Sequence, residues 1–199
     1  MLASSDRLLS SDFERNLLLQ KISGGKPEVL WKVPVEVWQA FSEIQTLAVS
    51  PDERTVAAGG AIGRVTLRDL ATGRKIESFQ NPSPWPIIYG LAFSSDGQTL
   101  ATADVYGAIR LWDTANLHPV ADPDIQGYAP LAFSPDGKRL VSGGGGSMII
   151  WDLATPRQEL LRLQLEGGVS QLAFSPDGNR LFALNSGTLY AWRAPREGG

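Results

Sequence analysis

The groups in this 199-residue sequence best suited to chemistry are four serine–aspartate pairs. Ser50 stands with Asp52, Ser94 with Asp96, Ser134 with Asp136 and Ser175 with Asp177. A hydroxyl beside a carboxylate suggests nucleophilic catalysis when a base is at hand. The sequence offers one histidine, His118, and no cysteine. Thiolate nucleophiles, disulfides, thiolate metal sites and two-histidine metal sites are therefore absent from its repertoire. Asp122 and Asp124 are the closest acidic pair, and with Pro123 between them they are expected to shape a loop. Gly143 to Gly146 continues into Ser147-Met148, without the lysine and helix start of a phosphate loop, and Gly24-Gly25-Lys26-Pro27 fails in the same way. The expectation is a protein with no catalytic residue, no metal and no cofactor.

The serine–aspartate pairs have a better explanation, because they recur with their surroundings. Leu47-Ala48-Val49-Ser50-Pro51-Asp52 returns at Leu91, Leu131 and Leu172, in steps of 44, 40 and 41 residues. A second landmark keeps the same beat: Arg68-Asp69, Trp112-Asp113, Trp151-Asp152 and Trp192-Arg193. It ends 17, 17, 16 and 16 residues after the aspartate of the first. Internal repeats of this length are one supersecondary unit each. Ser-Pro-Asp-Gly is turn chemistry. Ala108 to Asp113 alternates as a strand does, and Leu70-Ala71-Thr72-Gly73 turns the chain into a fourth strand over 75–79. Leu160 to Leu165, briefly helical in pattern, occupies the place of another fourth strand.

Units of four short strands at a period near 40 residues indicate stacked sheets around an axis. The two landmarks resemble those of WD-repeats, the family named for its Trp-Asp pair. Trp112-Asp113 and Trp151-Asp152 match outright, while Arg68-Asp69 and Trp192-Arg193 keep half each. The wording Ala-Phe-Ser-Pro-Asp-Gly is similar to that of bacterial WD-repeat arrays. The resemblance implies an all-β fold, a β-propeller of four-stranded antiparallel blades. The expected blades are a degenerate one over 1–35, then 43–80, 87–125, 128–165 and 169–193. The first lacks its opening strand and the last its fourth, so five blades are expected with both terminal ones incomplete. Three arrangements satisfy that count: part of a longer propeller, a five-bladed ring with a defective seam, and a ring completed by another chain. Exposed edges would favour self-association through the incomplete blades.

The family's buried network of a Gly-His histidine and a turn aspartate has no histidine here. Asp104 alone suits the aspartate's role, in a loose register. The blades are then expected to hold by apolar burial and ladder hydrogen bonds, with stability below the family's average.

The family's loop face draws attention to aromatic residues. Trp38, Phe41, Trp85, Tyr89, Tyr106 and Tyr128 fall in or beside the loops entering first strands and joining second to third strands. Pro82, Pro84 and Pro86 would stiffen the loop around Trp85. Aromatics on rigid loops are what protein-recognition surfaces use. The expected partner is a protein or peptide. A net charge of −3 disfavours nucleic acid, and no apolar run approaches the length of a membrane span. Arg7, Arg54, Lys138-Arg139 and Arg180 begin second strands and read as ordinary strand-end solubility. Hydrophobic residues make up 43%, enough for a core, and the N-terminus lacks signal-peptide character, so a cytoplasmic location is expected. The resemblance implies a non-catalytic interaction scaffold or a sensor module. The alternative is a propeller hydrolase or glycan-binding protein working through a central channel.

Overall fold

Each repeated turn closes on itself. In the computed structural model the Thr99 N–H donates to Ser94 Oγ (2.9 Å), and Ser94 Oγ donates to Asp96 Oδ1 (2.6 Å). The Gln98 N–H donates to the same carboxylate oxygen (3.0 Å), and the Gly97 N–H to the Ser94 carbonyl (2.9 Å). These bonds all close within six consecutive residues, Ser94 to Thr99. The same bonds recur from Ser50, Ser134 and Ser175. The structure describes residues 7–12, 16–23, 26–34, 44–82, 87–120, 125–154 and 158–193.

The chain divides into two compact units, residues 1–88 and 89–199. The first holds two antiparallel sheets. One is β1 (Arg7–Ser11), β2 (Asn16–Ser23) and β3 (Lys26–Pro34), in that order. The other is β4 (Ile44–Val49), β5 (Thr55–Gly60), β6 (Arg64–Asp69) and β7 (Lys75–Gln80). The second unit holds three. They are β8 (Ile88–Phe93), β9 (Thr99–Asp104) and β10 (Ile109–Asp113); then β11 (Leu131–Phe133), β12 (Arg139–Gly144), β13 (Ser147–Asp152) and β14 (Gln158–Gln164); then β15 (Val169–Phe174), β16 (Arg180–Asn185) and β17 (Thr188–Arg193). Every pairing is antiparallel and sequential, so the described residues form five sheets of blade type with no helix among them.

Burial follows position within a sheet. The central strands are covered on both faces: Val56, Ala57 and Ala58 of β5, and Val65 and Leu67 of β6, are all buried. The outermost strand β14 is exposed along nearly its whole length and carries Glu159 and Arg162, which pair at 2.6 Å. On β12, Gly143 makes room for Val169 of the next sheet, since a Cβ there would lie 3.0 Å from Val169 Cβ. In the first unit Leu17, Leu19, Val56 and Leu70 form one core cluster, with Trp31 packed against it. In the second unit Leu111, Leu131, Leu140 and Trp151 belong to one cluster, and Val141, Met148, Val169 and Leu181 to another. Each fully buried leucine contributes about 1.5–3 kcal/mol.

The described residues form five antiparallel sheets of three or four strands, and Leu160 to Gln164 is strand. Sequence expects a fourth strand after Trp112-Asp113. Among the described residues β8–β10 is a three-stranded sheet, with isolated antiparallel bridges from Trp112 to Pro119 and from Ala108 to Gln126 on its outer side. Beside them the Val120 N–H donates to the Leu111 carbonyl (2.9 Å) and the Ile109 N–H to the Ile125 carbonyl (3.1 Å). Asp122 to Asp124 lie outside the described residues.

Candidate functional site

The tryptophans and aspartates of the second landmark are structural. Trp112 and Trp151 are 4% and 7% exposed. Asp69 Oδ1 accepts from the Thr72 N–H and hydroxyl (2.8 and 2.6 Å), and Asp113 Oδ1 from the Ala115 and Asn116 N–H groups (2.8 and 3.1 Å). Where the first complete repeat has Arg68 in place of tryptophan, the guanidinium is buried and donates from Nη1 to the Gly73 carbonyl (2.9 Å). The serine–aspartate pairs are structural too. The Ser175 hydroxyl, Asn179 side chain and Asn179 N–H hold the Asp177 carboxyl down at about 2. Hydrogen bonds from Ser50, Ser94 and Ser134 likewise hold Asp52, Asp96 and Asp136 below the ordinary carboxylate value. A carboxylate held low is a poor proton acceptor near neutral pH. His118 is exposed in the turn after Asp113, with its N–H donating to Asn116 Oδ1 (2.8 Å). Among the described residues no group of three or more histidine, aspartate or glutamate side chains stands close enough to hold a metal ion. No helix among them is long and apolar enough to cross a membrane.

Asp104 is in firm register, against the looseness its sequence position suggests. It ends β9, is 1% exposed, and accepts from the Tyr106 and Ala108 N–H groups (both 3.0 Å) and from Arg110 Nη1 (3.2 Å). These bonds fix the β9–β10 turn that carries Tyr106.

Of the six aromatics singled out by sequence, Trp38, Phe41 and Trp85 lie outside the described residues, as do Pro84 and Pro86. Tyr89, Tyr106 and Tyr128 are 45%, 64% and 46% exposed. Tyr106 and Tyr128 meet at one cleft of about 130 Å³, also lined by Gln126, Ser142, Ile149 and Arg162. Tyr89, on β8, does not line it.

Glycine backbone seats Tyr128. A Cβ on Gly107 would lie 3.1 Å from Tyr128 Cζ, and one on Gly144 would lie 2.6 Å from Tyr128 Cβ. The ring therefore rests between two bare backbone segments, where any side chain would displace it. The Gly143 N–H donates to the Tyr128 carbonyl (3.0 Å), tying the segment to β12. Sequence reasoning found both tyrosines but missed Ser142 and Arg162. The signal for Ser142 was available: it follows Leu140 by two residues, as Thr102 follows Leu100, so it is the hydroxyl position of its repeat.

The model of the family described as WD domain, G-beta repeat matches residues 73–113, 131–152 and 159–193. A WD repeat-containing protein, SL1-17, of Schistosoma mansoni is 29% identical over 145 residues, covering 70% of this chain and 44% of that protein. The protein groucho of Drosophila melanogaster is 31% identical over 125 residues, covering 60% and 17%. The small ribosomal subunit protein RACK1z of Arabidopsis thaliana is 39% identical over 79 residues, covering 40% and 23%. The chain thus spans less than half the length of these relatives.

Proposed function

Because this chain belongs to the WD-repeat family, we propose that it is a non-catalytic protein-interaction module. In this reading a protein or peptide partner is held on the tyrosine-bearing loops of its second unit. The observation that carries the reading is the pairing of Tyr106 and Tyr128 across one cleft, both exposed, with Tyr128 seated on Gly107 and Gly144. A tyrosine offers large apolar area and a hydroxyl at low entropy cost, which suits an anchor. A ring already held by backbone loses little further freedom on binding. One relative, by name a small ribosomal subunit protein, belongs to an assembly of many components. That supports a role for this fold in contacts between macromolecules. Aspartates tied into turns, and an exposed turn histidine, leave the landmark residues occupied with structure rather than reaction.

The test is affinity capture with quantitative mass spectrometry, comparing the unaltered protein with the Tyr106→Ala and Tyr128→Ala double variant. Truncating two anchors is expected to reduce recovery of the specific partners about tenfold or more. A thermal melt confirms that the variant is folded. Unchanged recovery from a folded double variant overturns the reading.

A further inference from the structure

The chemistry of the cleft is more specific than its tyrosines. Ser142 on β12 is 1% exposed, and its Oγ has no hydrogen-bond partner among the described residues. A buried hydroxyl left unsatisfied is costly, and natural structures rarely retain one without a use. Ser142 is a lining residue of the cleft together with Tyr106, Tyr128, Gln126 and Arg162. The Gly127 backbone packs closely against Ser142, since a Cβ there would collide with Ser142 Oγ.

The lining is rich in donors and cationic. Serine and tyrosine hydroxyls and the glutamine amide can all donate, and the guanidinium has five N–H groups. Glu159 accepts from Arg162 Nε (3.0 Å) and Nη2 (2.6 Å), which accounts for two of those five. Glu159 is not itself a lining residue, and among the described residues no aspartate or glutamate lines the cleft. The Arg162–Glu159 pair is solvent-exposed, and an exposed ion pair of this kind is weak enough to exchange partners. A volume near 130 Å³ suits one side chain, since a 150 Å³ cavity holds a benzene ring.

The geometry points to a subsite for a single carboxylate side chain, a glutamate or aspartate on an extended partner peptide. Arg162 meets the charge, Ser142 donates from the floor, and the tyrosines flank the peptide. This deepens the partner-binding reading above and rests on it for the source of the peptide.

The experiment is an NMR titration of the ¹⁵N-labelled full chain with two capped tripeptides, acetyl-Gly-Glu-Gly-amide and acetyl-Gly-Gln-Gly-amide. The glutamate peptide is expected to shift the amides of Gly107, Gly127, Ser142 and Gly144 and to saturate at about millimolar concentration. The glutamine peptide should bind about fivefold more weakly or less, and Arg162→Gln and Ser142→Ala should each weaken the glutamate peptide by a similar factor. Ser142→Ala should melt no lower than the unaltered protein, because it removes an unpaired hydroxyl. Should it fail to fold, the exposed Arg162→Gln variant carries the test. Equal response to both peptides, or no shift at these amides, overturns the assignment. If that happens while partner recovery still depends on Tyr106 and Tyr128, only the carboxylate subsite falls. If recovery ignores the tyrosines while the glutamate peptide still saturates, only the partner-face reading falls.

Discussion

Trp112 donates its indole N–H to Thr102 Oγ1 at 3.0 Å, with both side chains buried. The bond runs diagonally across the β9–β10 ladder, since Trp112 stands opposite Leu100 and Thr102 opposite Arg110. The next sheet repeats the register: Trp151 opposite Leu140, Ser142 opposite Ile149. There the bond is missing, and both Trp151 Nε1 and Ser142 Oγ are buried without a partner among the described residues. A threonine at Thr102 keeps its hydroxyl on the tryptophan, whereas the serine at the same position lines the tyrosine cleft instead.

Thr102→Val should therefore cost stability. It keeps the shape and strands the indole N–H, a loss of about 1–3 kcal/mol. Urea unfolding of the second unit measures it. Thr102→Ser provides the control, and recovery of most of that loss would assign the effect to the hydroxyl.

Glu53 should be improvable. It takes φ +55° at the turn position where Gly97, Gly137 and Gly178 take +71°, +70° and +70°. A side chain in the left-handed region costs about 1–2 kcal/mol relative to glycine. Glu53→Gly is expected to raise the urea midpoint, and a lowered midpoint would contradict the strain.

Gly73→Ala should be destabilising for two reasons at once. Its φ is +72°, and the added Cβ would lie 3.0 Å from Trp31 Cδ2. Trp31 cannot easily retreat, because its indole N–H donates to the Leu70 carbonyl at 2.9 Å. A loss of about 1–3 kcal/mol is expected by chemical denaturation. Trp31→Phe in the same background should recover part of it, since the ring is then free of that hydrogen bond.

Acid should weaken the fold through the turns. Asp177 and Asp12 are held at about 2 rather than the ordinary 3.8, the first mainly by Ser175 and the second mainly by the Asn16 N–H. Asp52, Asp69, Asp96 and Asp136 are lowered in the same direction. A folded-state value below the unfolded one contributes stability above pH 3.8 that is lost as pH falls toward 2. Melting temperature should be flat from pH 7 to about 5 and decline below about 4. Asp177→Asn should flatten that decline slightly, and an unchanged acid limb would count against the turn's contribution.

Much of the fold was legible because each repeat encodes its corner locally. Ser-Pro-Asp-Gly closes through bonds within six residues, so its meaning does not depend on distant contacts. The strands on either side alternate plainly. The cleft was half legible. Aromatic side chains on loops mark themselves, and Tyr106 and Tyr128 proved exposed. Ser142 is marked only by its repeat position, two residues after Leu140 as Thr102 follows Leu100, and Arg162 carries no mark, since an arginine on an outer strand is ordinary in composition. Their meeting depends on how the segment around Gly127 lies over β12, a non-local contact that periodicity does not record.

The self-contained turn has a further consequence for how such a chain can change over generations. Residues 94–99 and 134–139 make the same bonds with different neighbours, so one is a portable cassette that fits wherever a strand must reverse. Duplication or unequal recombination at these corners inserts or removes whole units without retuning the joints. Divergence can then fall on the segments between corners, such as those bearing Tyr106 and Tyr128, while the scaffold's articulation is copied intact.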